Sequence, residues 1–349
     1  MTNAQSPKDA ADLQEKVAFL RSPAAYPDTC SAVEAHETHM SWVFLADGFA
    51  WKLKKPVRYP FLDYRTPEAR HRFCQDELRL NRRLAPGVYL DVVPLLRRPD
   101  GALGIGGVGQ VVDWLVRMRR LPAALMLDAA LDQGSATRPA VTRTAAHVAA
   151  FYAAAIPELV ADAAYLDRFR HEIALTGEVL RDGAHGMPDL APALVIGTLE
   201  TVLASGTEWL LAPLRSGHIV EGHGDLRPEH VFLGDPPAVI DCLEFDRALR
   251  LLDPFEEMAF LAMECRMLGG AWAGGIFLHR VAAALGRRPP AGLLAFYTAI
   301  RACLRARLSL AHLQEPKPRE PAKWRPRARR YMAEAAAACA RLRRLRQGP

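Results

Sequence analysis

Two aspartates sixteen residues apart are the residues of this chain best suited to chemistry. Asp225 stands in the run His223-Gly224-Asp225-Leu226-Arg227-Pro228-Glu229-His230, and Asp241 closes the apolar stretch Val239-Ile240. Such a pair suits phosphoryl transfer. One carboxylate accepts the proton of an attacking hydroxyl, and the other holds Mg²⁺ against nucleotide phosphates. A turn acid and a strand-end acid also occur together in ordinary loops, so this reading needs further parts.

Those parts lie upstream. Trp42-Val43-Phe44-Leu45 and Phe49-Ala50-Trp51-Lys52-Leu53 flank Asp47-Gly48, a strong hairpin signal. Alternation sends Phe49, Trp51 and Leu53 to one face and Lys52 to the other. The four aromatic residues of this hairpin are expected in the core, not as a platform for bases. A helix should follow, with Thr66 as N-cap and Pro67 at the first helical position, ending by Ala85 ahead of Pro86-Gly87. On it Phe73, Leu80 and Leu84 share a face with Glu77. A carboxylate in an apolar stripe calls for a buried cationic partner, and Lys52 is the expected one. Lys54 shares the face of Lys52, but for Lys54 and Lys55 a solvated strand end is expected.

Strand lysine, helix glutamate and two later acids follow the order of a kinase-type nucleotide site. Lysine neutralises phosphate oxygens, glutamate fixes the lysine, Asp225 orients the acceptor hydroxyl, and Asp241 binds the metal. Glu229 and Glu244 are alternative metal ligands, or acids that are solvated or paired with arginines. Asp253 and Glu257 open a helix, where the dipole accounts for them.

Around these residues, strands are expected over 88–96 and 110–119, and Leu121-Pro122 closes the strand-rich part. Helices dominate to Ser216, loops and short strands run from 218 to 241, and helices resume at Pro254–Leu268 and Ala291–Leu313. A Pro- and Lys-rich linker, Glu315 to Pro326, leads to a terminal helix. Gly104 to Gly109 fits Gly-x-Gly-x-x-Gly but precedes a strand and follows Lys52, which makes it a hairpin loop. In His36-Glu37-Thr38-His39 the histidines are three apart with no helix indicated, so a zinc role is rejected.

The chain has 349 residues, half of them hydrophobic, and a net charge of +6. Residues 316–349 hold eleven Lys/Arg against two Glu, which leaves 34 basic and 37 acidic residues elsewhere. That tail could touch nucleic acid or an anionic surface, but its Ala-rich pattern over Met332–Leu345 fits a solvated basic helix face. Nucleic acid is therefore not the expected partner. No apolar run approaches the ~18–20 residues of a membrane span. Met1 to Ala11 lacks a signal-peptide layout, and the six cysteines form no Cys-x-x-Cys pair. The cytoplasm is the expected compartment.

His223-Gly224-Asp225-Leu226-x-Pro228, Ile240-Asp241 and Asp253-Pro254 resemble the signature of the aminoglycoside phosphotransferase branch of the protein-kinase-like superfamily. Several further runs resemble a bacterial family of aminoglycoside-phosphotransferase-like proteins. They are Glu37-Thr38-His39-x-Ser41 to Leu45, Lys52-x-Lys54-Lys55-Pro56, Glu77 to Pro86, Met118 to Pro122, and Asp241 to Phe245. The resemblance spans roughly residues 30–312 and implies an α+β, bilobal protein-kinase-like fold. A small antiparallel-sheet N-lobe with one helix would cover 30–120, and a mainly helical C-lobe 121–314. An N-terminal segment (1–29) and a basic linker with a C-terminal helix (315–349) would flank them. It further implies ATP between the lobes, with backbone groups near Met118 and Arg119 offered to adenine and His36–Ser41 as the phosphate-covering segment. Some relatives add a P-loop domain; this chain has no Gly-x-x-x-x-Gly-Lys-Ser/Thr, so the stand-alone form is expected.

Two departures stand out. The covering segment has no glycine. At the position five after Asp225, where these enzymes usually have a metal-binding Asn, stands His230. It could leave one metal site unused, favour Mn²⁺, donate to a phosphate, or be a structural loop histidine. The expected activity is transfer from ATP to a hydroxyl of a small molecule. The alternative is a nucleotide-binding pseudokinase acting through a protein partner.

Overall fold

The structure, a computed structural model, describes residues 7–27, 30–59, 62–182, 187–190, 192–314 and 320–347. It divides into two compact units: Met1–Met126 with Phe232–Ala248, and Leu127–Val231 with Leu249–Pro349.

The first unit is built on an antiparallel six-stranded sheet. Its strands are β1 (Val33–Glu37), β2 (Ser41–Ala46), β3 (Phe49–Lys54), β6 (Tyr89–Arg97), β7 (Leu103–Ile105) and β8 (Gln110–Arg119), in the order β1-β2-β3-β8-β6-β7. A small hairpin, β4 (Arg58–Tyr59) with β5 (Leu62–Asp63), lies outside it. The β2–β3 turn is at Asp47-Gly48 as expected, with Asp47 at φ 45°, a conformation that Asp tolerates. The sequence gives no signal for strand β7; it overlaps the start of the glycine-rich stretch and pairs Leu95–Arg97 of β6.

Alternation on β3 sorts its side chains to two cores. Trp51 and Leu53 join Phe44 and Leu115 under helix α1 (Pro7–Leu20), whose Leu13, Val17 and Leu20 pack there. Ala50 joins Val116 and Met118 under helix α2 (Pro67–Asn81), with Cys74 and Leu78. The α2 start follows its sequence signals: the Thr66 hydroxyl accepts from the Ala69 N–H at 3.2 Å, and Pro67 stands at N1. Segment 232–248 belongs to this unit because Leu233 N–H bonds Leu125 O (2.8 Å) and Val239 N–H bonds Leu84 O (3.2 Å).

The second unit is helical: α3 (Leu127–Asp132), α4 (Arg138–Ala153), α5 (Asp162–Arg181), α6 (Pro192–Ser205), α7 (Thr207–Arg215), α8 (Pro254–Met267), α9 (Ala271–Ala284), α10 (Ala291–Ala311) and α11 (Pro321–Gln347). Helix α10 packs along α11 and against α5 and α8, and Phe169, Phe296, Tyr165 and Tyr297 form its aromatic centre. Two features depart from expectation. Helix α9 carries Gly274 and Gly275, poor helix formers, but a Cβ at Gly274 would stand 2.6 Å from the Ala262 Cα, so close packing on α8 requires a glycine. Helix α11 begins at Pro321 and runs through Pro326, inside the expected linker, whose residues 315–319 lie outside the described residues. Burial of Ala328, Tyr331, Met332 and Ala335 offsets the hydrogen bond a helical proline loses. Among the described residues no single helix is long and apolar enough to cross a membrane.

Candidate functional site

In the sheet unit, β3 and α2 build a buried ionic cluster. Lys52 and Lys54, two apart on one face of β3, each take one oxygen of Glu77: Lys52 Nζ donates to Oε1 at 2.8 Å and Lys54 Nζ to Oε2 at 2.6 Å. Glu77 is fully buried, and so is Lys54. Lys52 also donates to Asp241 Oδ1 at 2.9 Å, and Lys54 to Glu244, which accepts from the Tyr64 hydroxyl at 2.7 Å as well. The expected Lys52–Glu77 pair is therefore present. The expected solvated lysines are not: Lys54 is inside the cluster, and buried Lys55 bonds Glu37 and the Thr38 carbonyl. Lys54 is buried because Glu244, 190 residues away in sequence, supplies its second countercharge.

Burial by itself would lower the Lys52 ammonium; the carboxylates of Asp241, Glu77 and Glu244 outweigh it and hold the group well above the usual lysine range. Lys54 is held up in the same way, by Glu244 and then Glu77. Glu244 moves downward: Lys54 and Lys52 prevail over its desolvation. Both lysines are therefore fully charged at neutral pH.

Asp241 lies at the edge of this cluster with its side chain 49% exposed. Its backbone is left-handed (φ 61°), a region that Asp enters more readily than most residues with a Cβ but still at a cost. Among the described residues no three His, Cys, Asp or Glu gather into a metal cage. Mg²⁺ carried in with nucleotide phosphates needs only about one or two carboxylates, and a half-exposed Asp241 meets that need.

The helical unit holds the other acid. Gly224, at φ 91°, turns the chain between His223 and Asp225, a conformation open to glycine. Glu257 of α8 accepts the N–H of His223 (3.0 Å), the N–H of Gly224 and the Tyr152 hydroxyl. Arg301 of α10 donates to the Gly224 carbonyl at 3.0 Å. The helix dipole alone was the expected account of Glu257; the structure gives it this further part as the anchor of the loop. A polar group four residues past a strand–helix boundary carries no signal in sequence for such backbone contacts.

The Asp225 side chain, 21% exposed, receives the Arg227 Nε at 2.9 Å, and Arg227 also bonds Glu229. Burial would raise the Asp225 carboxyl, but Arg227, His230, Arg305 and His223 outweigh it and hold the group below the ordinary carboxylate range. His230 is buried, with Nδ1 donating to the Asp225 carbonyl at 2.8 Å and Nε2 3.4 Å from Arg227. Glu229 and Glu244 are thus both paired with cations. Met118 lies on β8 opposite Ala50 and Tyr89, and the Arg119 N–H donates to the Val88 carbonyl at 2.9 Å.

Comparison with solved structures identifies the fold. The chain superposes on the choline kinase LicA of Streptococcus pneumoniae with a TM-score of 0.53 at 12% identity, covering 95% of this chain and 98% of that one. It matches a choline/ethanolamine kinase family protein of Mesorhizobium loti with a TM-score of 0.51 at 16% identity, covering 97% and 95%. The chain has a protein-kinase-like fold. That is the fold class its motifs implied.

An ethanolamine kinase of Plasmodium vivax shares this kinase-like fold, with a TM-score of 0.52 at 9% identity over 96% of the chain and 89% of that one. Uncharacterized proteins of Mycobacterium tuberculosis and Mycobacterium bovis are each 35% identical over 295 residues, 82% of this chain. The chain spans 56% of the length of these curated relatives. No protein-family model matches it.

Proposed function

We propose that this chain is a phosphotransferase that moves the γ-phosphoryl group of ATP to a hydroxyl of a small molecule. The observation that carries the reading is the Lys52–Glu77–Asp241 cluster, set by β3 and α2 of a kinase-like sheet unit. The named activities of the solved kinases of this fold, on choline and ethanolamine, make a small-molecule acceptor the favoured class. They do not select the acceptor.

In this reading Lys52 leaves Asp241 for phosphate oxygens while Glu77, still held by Lys54, keeps the ammonium in place. Asp241 would hold Mg²⁺, with Mn²⁺ as a second candidate; the ion would neutralise charge on the phosphates. Met118 and Arg119 would flank the base. Asp225, ionised and oriented by Arg227, accepts the proton of the acceptor hydroxyl as its oxygen bonds to phosphorus and ADP departs. His230, whose Nδ1 proton is used by the loop, keeps Nε2 toward Arg227 and serves that loop first.

A second reading, a nucleotide-binding pseudokinase acting through a protein partner, is favoured by one observation. An imidazole bonded to the Asp225 carbonyl stands where an oxygen ligand would be needed for a second ion. ATP turnover over a panel of amino alcohols, sugars and hydroxy acids decides between them. Phosphotransferase chemistry requires turnover that Asp225→Asn lowers about 100-fold or more. Nucleotide binding without turnover on any acceptor, unchanged by Asp225→Asn, would leave the pseudokinase.

A further inference from the structure

Asp241 is the least comfortable residue of the ionic cluster, because it carries its carboxylate on a left-handed backbone that a residue with a Cβ adopts at a cost. Such a conformation persists only where the surroundings over-determine it. Here they do, and the contacts come from one stretch of chain, the C-terminal end of α2 and the turn into β6. The Asp241 N–H donates to the Tyr89 hydroxyl at 3.1 Å. The next amide, Cys242 N–H, donates to Asn81 Oδ1 at 2.9 Å. Two residues before Asp241, the Val239 N–H bonds the Leu84 carbonyl at 3.2 Å.

Asn81 is itself aimed. Its Nδ2 donates to the Glu77 carbonyl at 2.9 Å, four residues back on α2, so its oxygen is turned toward Cys242. Asn81 and Tyr89 are both almost fully buried, at 1% and 2% exposure, where an amide or hydroxyl without partners would be costly. The Tyr89 ring packs in the apolar core with Ala50, Val116 and Met118. The backbone amide that each side chain receives accounts for its buried polar atom.

From these contacts we infer that Asn81 and Tyr89 are positioning residues for the metal-binding acid. They clamp the peptide units on either side of the Asp241 Cα, and so hold its carboxylate toward a divalent cation. This rests on the phosphotransferase reading above. Because Asn81 also bonds the Glu77 carbonyl, one helix would set both the lysine clamp and the metal acid, and a shift of α2 would move the two together.

The test uses the full chain with Asn81→Leu, Asn81→Asp and Tyr89→Phe, in two measurements. Hydrogen exchange reads the amides of residues 241 and 242. A Mg²⁺ or Mn²⁺ titration reads the concentration needed for half of the ATP-dependent rise in melting temperature. Asn81→Leu should raise exchange at Cys242, Tyr89→Phe should raise it at Asp241, and Asn81→Asp, which keeps an acceptor oxygen, should retain protection at Cys242. Asn81→Leu and Tyr89→Phe should raise the metal requirement roughly 10–100-fold, the usual effect of losing an outer partner of a metal ligand. Binding of ATP without metal should not change.

Unchanged exchange at both amides would overturn the clamp. Faster exchange with an unchanged metal requirement would overturn the positioning role and leave a merely structural contact. A wild-type chain that binds no nucleotide with either metal would instead remove the phosphotransferase reading, and with it the metal-directed role. The exchange data would then still decide whether these side chains hold the turn.

Discussion

The two acids assigned to the chemistry sit in opposite settings. Asp241, in the sheet unit, is half-exposed, rests on a left-handed backbone, and is paired with a lysine that the proposed reaction needs elsewhere. Asp225, in the helical unit, is mostly covered, is braced by Arg227, and follows a glycine turn gripped by Glu257 and Arg301. The difference suits the two proposed tasks. A metal ligand has to exchange one cation for another, so its partner must be replaceable. A base that meets a hydroxyl once per turnover gains from being fixed beforehand.

Asp225→Asn breaks the comparison at its strongest point. Turnover should fall about 100-fold or more, the usual contribution of a positioned base, while ATP binding measured by calorimetry persists. Glu257→Ala attacks the grip on the loop instead. It leaves the His223 and Gly224 amides without their acceptor, and denaturant titration should show a loss of about 3 kcal/mol or more. Lys54→Met tests the sheet unit: it takes the bonded lysine from buried Glu244 and from one oxygen of Glu77, whose other oxygen Lys52 keeps, and should cost about 3–5 kcal/mol in the same assay. Lys52→Met should cost less, since Lys54 still holds Glu77, and should weaken ATP binding instead.

A pH profile sharpens the contrast further. The Asp225 carboxyl is depressed in the folded chain, so its stabilising contribution is present above the unfolded value of 3.8 and is lost as pH falls through the lower folded value. Arg227→Met removes the strongest cation and should move the acid limb of both activity and stability upward. The smallest effect expected is on the basic helix. Arg329→Ala breaks a half-exposed pair with Asp189 and should change stability by less than about 1 kcal/mol.

Local signals carried the sheet unit a long way. The Asp47-Gly48 turn, the Thr66 cap and the face of Glu77 all follow from spacing within a few residues, and together they foretell the Lys52–Glu77 pair. What stayed illegible depends on distant partners. Lys54 reads as a strand end until Glu244 is folded against it, and Glu257 reads as a helix-start acid until two amides reach it. The same holds for α9, where close approach to Ala262 turns a helix-weakening Gly274 into a requirement. Asn81 and Tyr89 carry no local signal of their part either, since a polar residue on a helix and an aromatic residue in a strand each have ordinary explanations.

The central claim is tested most directly by the melting temperature of the wild type and of Asp241→Ala with ATP or GTP, with and without Mg²⁺ or Mn²⁺. A nucleotide at ~100 times its dissociation constant adds about 2.7 kcal/mol, which such a scan resolves readily. The account predicts a metal-dependent rise in the wild type that disappears in Asp241→Ala. No rise with any nucleotide, or an equal metal-dependent rise in Asp241→Ala, would contradict it.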